Sequence, residues 1–167
     1  MLDPKKRDGL HGADAQFLEI IDQYGWHVMS VAPRAESKDK QEWFSYSTDI
    51  FMQFSHPEIL LCGLGADTAI RIINEIGNAL KNGRRFDLDT DCDDILADNV
   101  KCRFRRVHIS RYKDYVGWSL WFYEGDDFPL WQCFWPDRDG HYPWKKSCDV
   151  EVAELQPFLF ESSEPIN

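Results

Sequence analysis

"EILLCGLGADTAIRIINEIGNALKNG", residues 58–83, places a strand and a helix in direct succession and decides the fold. Its first part, residues 58–64, is apolar on both faces, as expected for a strand in the middle of a sheet. In the second part, apolar residues recur at the spacing of one helix face: Ala69, Ile72, Ile73, Ile76 and Leu80. Because Asn82-Gly83 supplies a C-terminal stop, the spacing predicts a helix of about four turns.

The residues before this stretch predict a short helix followed by two strands. Residues 13–24 have the spacing of an amphipathic helix, and Gly25 follows in the position of a C-terminal cap. "WHVMSV" (26–31) and "EWFSYSTDI" (42–50) are rich in β-branched and aromatic residues, which favours strands. Since the polar segment 34–41 joins them, we expect an antiparallel pair.

"KCRFRRVHIS", residues 101–110, predicts a further strand with an irregularity. Cys102 and Phe104 alternate with arginines, whereas Val107 continues on the opposite parity. A single register would then bury an arginine or expose apolar residues. The pattern therefore predicts a β-bulge near Arg105-Arg106.

The aromatic segments that follow complete the predicted fold. "WSLWFYEG" (118–125) and "PLWQCFWP" (129–136) flank a turn-prone segment and are interpreted as two strands of a hairpin. The sequence thus predicts about six strands, one long helix and one short helix. The strands follow one another in runs and do not alternate regularly with helices. We predict an α+β fold with a mainly antiparallel sheet or partial barrel. Residues 1–167 are expected to form a single domain, frayed at 1–12 and 161–167.

Composition limits the classes of partner. The chain is 43% hydrophobic and 14% aromatic, which is typical of a globular protein. Its net charge of −10 disfavours binding to nucleic acid or to anionic membranes and favours a basic protein partner. Met1–Leu10 has no apolar core of a signal peptide and no segment has the length of a membrane span, so we expect a cytoplasmic protein.

The five cysteines are odd in number and widely spaced in strand-like apolar runs. This pattern favours reduced, buried thiols over a disulfide framework or a CxxC metal site. Cys62 in particular lies in the apolar segment 58–64, so we interpret it as a core residue and not as a nucleophile.

"DLDTDCDDILAD", residues 87–98, has six aspartates and no basic residue. Aligned with the calcium loop of an EF-hand, it has Cys92 where the sharp turn requires glycine and Asp98 where a bidentate glutamate is usual. Calcium binding is therefore disfavoured, although Asp87, Asp89 and Asp91 occupy the first ligand positions.

Two interpretations of the acidic run remain. One is a solvated loop in which Asp93 or Asp94 caps a short helix at residues 93–98. The other is a binding surface, since clustered carboxylates accelerate association with basic proteins. The neighbouring basic segment 101–113 is expected to supply arginines that pair with these aspartates.

The sequence has no HExxH, GxSxG or P-loop motif. "GLGADT" (63–68) resembles a phosphate-binding turn but lacks the third glycine and the lysine. The histidines are far apart in sequence. We therefore predict no catalytic residue, no metal site and no cofactor.

Several short motifs resemble those of a bacterial family, the domain of unknown function 4262, over roughly residues 17–144. They are Gly25-Trp26-His27-Val28, "FSYST" (44–48), "HPEILLCGL" (56–64), the helix ending in Asn82-Gly83, and "WPDRDGHYPW" (135–144). Where the family usually has a glycine soon after the second motif, this chain has Asp49. The resemblance implies a small cytoplasmic protein of a kind often grouped with immunity proteins of secreted toxin systems.

The leading hypothesis is a non-enzymatic immunity protein that binds and neutralises a cognate toxin domain, expected to be a basic nuclease. The candidate contact residues are acidic residues in predicted loops: Asp87, Asp89, Asp91, Asp93, Asp94, Glu124, Asp126 and Asp127. The alternative is a small-ligand-binding protein or enzyme resembling flavin-binding split barrels. In that case His56, Glu58 and Trp135 would line the pocket.

Overall fold

The computed structural model describes residues 7–33 and 43–162. The predicted loop 34–41 lies outside these residues, as do residues 1–6 and 163–167 of the ends expected to fray. In chain order the elements are α1 (Ala13–Tyr24), β1 (His27–Val31), β2 (Phe44–Thr48), α2 (Ile50–Phe54), β3 (Glu58–Cys62), α3 (Ala66–Lys81), β4 (Arg103–Arg106), α4 (Tyr112–Tyr115), α5 (Gly117–Tyr123), β5 (Leu130–Phe134) and α6 (Val150–Glu154).

The two helices predicted from spacing are confirmed. Helix α1 ends at Gly25, whose φ of 93° is left-handed and whose N–H donates to the carbonyl of Ile21 at 2.8 Å. The predicted apolar face of α3 is buried in full: Ala69, Ile72, Ile73, Ile76 and Leu80.

The described strands form one sheet in the order β1-β2-β3-β5-β4. All neighbouring pairs are antiparallel except β3 and β5, which are parallel and joined by the long connection that a parallel pair requires. The predicted α+β class and mainly antiparallel sheet are confirmed. In the described residues the sheet has five strands instead of six, and it is open, with β1 and β4 at its edges, instead of a partial barrel.

The predicted strand at residues 118–125 is wrong, because this segment is helix α5. The hairpin with residues 129–136 is therefore wrong as well, although β5 lies within that range. A short run that is apolar on both faces does not distinguish a buried strand from a buried helix. Helical spacing places Trp118, Trp121 and Phe122 against Phe17 of α1, and that contact selects the helix.

The predicted bulge at Arg105-Arg106 is also wrong. Strand β4 pairs with β5 in regular register from Arg103↔Phe134 to Arg106↔Trp131. Phe104 packs on one face of the sheet and Val107 on the other. Because both faces are covered, apolar residues of either parity are buried without any break in the register.

Two apolar layers cover the sheet. The α3 layer lies beneath α3 and residues 86–95, and it includes Trp26, Ile59, Leu61, Ile73, Phe86, Ile95 and Phe104. The α4–α5 layer covers the opposite face and includes Phe44, Tyr46, Leu60, Val116, Leu130 and Leu159. All five cysteines are buried and unpaired, as predicted, and burial raises the pKa of Cys62 to about 12.

Trp26 fixes how closely α3 approaches the sheet. A Cβ at Gly77 would lie 2.6 Å from a carbon of the Trp26 indole, so glycine is required there. The indole Nε1–H donates to Asn74 Oδ1 at 2.9 Å. This contact positions α3 beside the end of α1 and leaves a groove between the two helices.

Candidate functional site

Residues 87–98, here called the acidic loop, run along the outer edge of β4. Backbone hydrogen bonds join Cys92 and Cys102 in both directions, at 2.8 and 3.0 Å, and Asp89 N–H donates to the Phe104 carbonyl at 2.9 Å. Cys92 and Ile95 point into the α3 layer, whereas all six aspartates are exposed. The loop thus alternates apolar anchors with outward carboxylates.

The backbone of the acidic loop explains part of its composition. Asp89, Asp94 and Asp98 have φ values of 54°, 68° and 59°, in the left-handed region. Aspartate and asparagine adopt this region more readily than other non-glycine residues. These aspartates therefore satisfy a local backbone requirement as well as supplying charge.

The predicted helix at residues 93–98, capped by Asp93 or Asp94, is wrong. The structure has only a 3-10 turn at Ala97–Asn99, and Leu96 precedes it. The left-handed Asp94 and the burial of Ile95 hold the chain away from a helical path.

Arginines of β4 pair with the acidic loop, as predicted. Arg103 Nε donates to Asp91 Oδ1 at 2.5 Å, and Arg105 Nε donates to Asp89 Oδ1 at 2.9 Å. The hydrogen bond from Arg103 holds the pKa of Asp91 below its usual value. Two of the six loop carboxylates are therefore partners of the protein's own arginines.

Aromatic rings hold both arginines in place. The Arg103 guanidinium lies 5.2 Å from the ring centre of Tyr142, and that of Arg105 lies 3.8 Å from Trp144 and 4.8 Å from Phe160. The rings of Tyr142 and Trp144 are stacked at 4.9 Å. The motif at 135–144 thus supports the face of β4 and, through it, the acidic loop.

The other predicted contact residues lie elsewhere. Glu124, Asp126 and Asp127 are exposed in the turn between α5 and β5. That turn adjoins the α4–α5 layer, whereas the acidic loop packs into the α3 layer. The eight predicted residues therefore divide into two groups on different elements.

The three predicted pocket residues are dispersed as well. His56 packs edge-on against Phe86 and Trp131 in the α3 layer. Trp135 donates its indole N–H to the carbonyl of Cys62, at the end of β3 opposite to Glu58. A five-residue strand separates those ends by roughly 13 Å.

Glu58 instead lies in a buried polar cluster with Ser47, Asp49 and Tyr123. It is completely buried, and its carboxylate accepts hydrogen bonds from the hydroxyls of Ser47 and Tyr123 and from the Phe51 N–H at 3.1 Å. Burial raises the pKa of Glu58, and the three donors oppose this shift. The cluster ties β2, α2, β3 and α5 together.

Asp49 directly follows β2 and lies beside Glu58 in this cluster. Its φ of 82° is a conformation that glycine adopts freely and aspartate tolerates. Its carboxylate is buried and accepts from Gln53 Nε2 at 2.9 Å. Burial raises the pKa of Asp49 also. Asp49 thus places a second buried carboxyl group beside Glu58.

Sequence reasoning identified Glu58 but missed Tyr123 and Asp49 as its neighbours. A charged residue at the head of a strand otherwise apolar on both faces was the available signal, since such a group requires buried partners. Tyr123 is 65 positions away in the sequence, and the pattern of its segment, 118–125, predicts a strand.

Two surface concavities are prominent. The α1–α3 groove, of about 600 Å³, is lined by residues that include Tyr24, Trp26, His27, Asn74 and Lys81. The arginine cleft, of about 430 Å³, lies along β4 and is lined by residues that include Asp89, Arg103, Arg105, Arg106, His108 and Phe160.

Within residues 7–33 and 43–162, no three His, Cys, Asp or Glu side chains are grouped so that they could hold a metal ion. In the same ranges, no helix has both the length and the apolar character needed to cross a bilayer.

Comparison with known proteins gives the family. No curated protein and no solved structure matches the chain. A family model described as a domain of unknown function (DUF4262) matches residues 20–149, which include the buried Glu58 cluster, the acidic loop and the motif at 135–144. The chain belongs to the DUF4262 family.

Proposed function

We propose that this protein is an immunity protein that binds a cationic toxin domain, expected to be a nuclease, and blocks it. The observation that supports the proposal is the acidic loop, in which six exposed aspartates project from a backbone that hydrogen bonds fix to β4. A nuclease presents cationic groups to phosphates, and an acidic protein surface can cover those groups.

The fixed conformation of the acidic loop supports a role in binding and not only in solvation. A solvated loop needs charge but no fixed path, whereas this loop has buried anchors, two bridges to β4 and several left-handed residues. A surface already held in one conformation loses little conformational entropy on binding, so its contacts contribute more to affinity.

The aspartates of the acidic loop differ in whether an arginine of the protein pairs with them. Asp89 and Asp91 are held by Arg105 and Arg103, so their charge is partly compensated within the protein. Asp87, Asp93 and Asp94 are exposed in the same loop. We therefore expect these three aspartates to make the main contribution to recognition from the acidic loop.

The test uses the C-terminal domain of the secreted protein that this proposal expects to be encoded beside the gene. The wild-type protein should form a 1:1 complex with that domain and abolish its nuclease activity. A triple variant, Asp87→Asn, Asp93→Asn and Asp94→Asn, should inhibit with lower affinity. Asparagine is the appropriate replacement because it accepts the left-handed conformation of Asp94.

A double variant, Glu19→Gln and Glu75→Gln, serves as the matched control. It removes two exposed carboxylates from α1 and α3, outside the predicted contact residues, and leaves the acidic loop intact. Inhibition should stay at the wild-type level. A wild-type protein that fails to bind the toxin domain would refute the immunity proposal, and equal losses in both variants would refute the role of the acidic loop.

A second proposal is that the protein binds a small ligand, and the α1–α3 groove supports it. The groove has the volume of a small-molecule site, with an exposed aromatic ring, Tyr24, at 64% exposure beside the polar side chains of His27, Asn74 and Lys81. These residues differ from His56, Glu58 and Trp135, which the sequence suggested.

Native mass spectrometry of the purified protein tests this second proposal. A ligand held in the groove should add a discrete mass, which Tyr24→Ala should reduce. Ile109→Ala, which truncates another exposed apolar residue outside the groove, should leave it unchanged. Protein of the calculated mass alone, from the native host, would count against ligand binding.

A further inference from the structure

We infer that the arginine cleft is a binding site for a small phosphate-bearing ligand. The inference rests on four residues that line a single concavity of about 430 Å³: Arg103, Arg105, Arg106 and His108. It is independent of the proposed immunity role, which depends on the exposed aspartates.

The donors of two of these arginines are only partly used. Arg103 and Arg105 each contact an aspartate through Nε, and their terminal NH2 groups make no hydrogen bond to any residue within 7–33 or 43–162. The aromatic rings of Tyr142, Trp144 and Phe160 hold the guanidinium groups in place. The remaining donors are therefore directed in advance of any ligand.

Arg106 supplies a third and uncompensated charge. Its guanidinium is exposed and makes no hydrogen bond or ion pair with the part of the chain that the structure describes. Arg106 is the last residue of edge strand β4. The acidic loop bridges to β4 only as far as Phe104, so the loop does not pair with the strand at Arg106.

His108 adds an imidazole to the cleft. Its Nδ1 accepts from the Ser110 N–H at 3.2 Å, so Nε2 is the ring nitrogen that remains as a donor to a ligand. The cleft thus combines guanidinium forks and an imidazole N–H, donors that suit the several acceptor oxygens of a phosphate.

Asp89 also lines the cleft and determines how the ligand must bind. It accepts from Arg105 through Nε alone, so a phosphate can bind the terminal NH2 groups of the same guanidinium. The nearby aspartates repel an extended polyanion, which favours a compact ligand over a nucleic acid strand.

Titration with inorganic pyrophosphate tests the inference. The wild-type protein is followed by NMR of its arginine Nε–H signals, with sodium chloride adjusted to hold ionic strength constant. We expect saturable binding of one equivalent, with shifts of the Arg103 and Arg105 signals. Shifts that rise linearly without saturation would overturn the inference, because they indicate general ion screening.

Matched variants locate the site. Arg106→Gln should weaken pyrophosphate binding by about tenfold, as expected for loss of one charge-assisted donor group, and it should not affect folding. Arg71→Gln, the same change at an exposed position on α3, should alter the affinity by less than about twofold. Equal affinity in Arg106→Gln and wild type would overturn the assignment.

A third measurement distinguishes a small phosphate-bearing ligand from a nucleic acid strand. A ten-nucleotide oligothymidylate should bind more weakly than pyrophosphate at the same ionic strength. Tighter, Arg106-dependent binding of the oligonucleotide would overturn the small-ligand assignment and identify the cleft as a nucleic acid site.

Discussion

The acidic loop and the Glu58 cluster place the same chemical group, a carboxylate, in opposite environments. In the loop, six carboxylates remain in water and the fold depends on the apolar anchors between them. In the cluster, one carboxylate is fully buried, and four elements meet around it. The comparison indicates that charge at the surface is available for recognition, whereas buried charge is structural.

The largest expected effect is the loss of the Glu58 side chain. Glu58→Ala would leave the hydroxyls of Ser47 and Tyr123 and the Phe51 N–H without their acceptor. We expect the free energy of unfolding to fall by about 3 to 5 kcal/mol, since each buried donor left unpaired costs free energy. Urea unfolding measures this, and a loss below about 1 kcal/mol would show that water replaces the carboxylate.

Ile95→Ala should have the next largest effect, because it removes an anchor of the acidic loop and no charge. Ile95 is 4% exposed in the α3 layer. Truncation should lower the free energy of unfolding by about 2 to 4 kcal/mol. Hydrogen exchange at the Cys92 and Cys102 amides should accelerate as well, since the loop would separate more readily from β4. Unchanged exchange would mean that the bridges alone hold the loop.

The pH dependence of stability distinguishes the two regions further. Because the pKa of Glu58 is raised in the folded state, the protein gains stability while this group is protonated. That gain is complete below the unfolded value of 4.5 and is lost as pH rises through the folded pKa. Glutamine does not titrate, so the free energy of unfolding of Glu58→Gln should fall less than that of wild type as pH rises through this range. If the two free energies change with pH in parallel, Glu58 is not the group responsible.

Asp93→Asn should have the smallest effect on folding. The Asp93 side chain is exposed, and the contact from Arg84 reaches its backbone carbonyl, which the substitution retains. The free energy of unfolding should change by less than about 0.5 kcal/mol. A loss above about 1 kcal/mol would show that the loop charges are structural, and the contrast with Glu58 would fail.

The sequence predicts correctly those helices and strands whose pattern of apolar residues allows only one interpretation. The spacing of Ile72, Ile73 and Ile76 identifies one helix face, and strand β3 follows from the apolar run after Glu58. Pairing of Arg103 and Arg105 with the acidic loop follows from opposite charges on segments that adjoin in the chain.

Other features depend on contacts between distant residues. Residues 118–125 are apolar on both faces, and only packing against Phe17 of α1 selects a helix there. Tyr123 contacts Glu58 across 65 positions of the chain, so no local pattern reports that bond. The arginine cleft forms because Phe160 returns beside β4, which the sequence does not reveal.

We propose that the acidic loop recognises a cationic partner, and the kinetics of association depend on this recognition most directly. The most direct test compares association rates of wild type and the triple variant Asp87→Asn, Asp93→Asn and Asp94→Asn with the toxin domain. Stopped-flow measurements at about 20 and 150 mM salt vary the screening of exposed charges. We predict that wild type associates about tenfold faster at low salt and that the difference shrinks at the higher concentration. Equal association rates at low salt would contradict the claim.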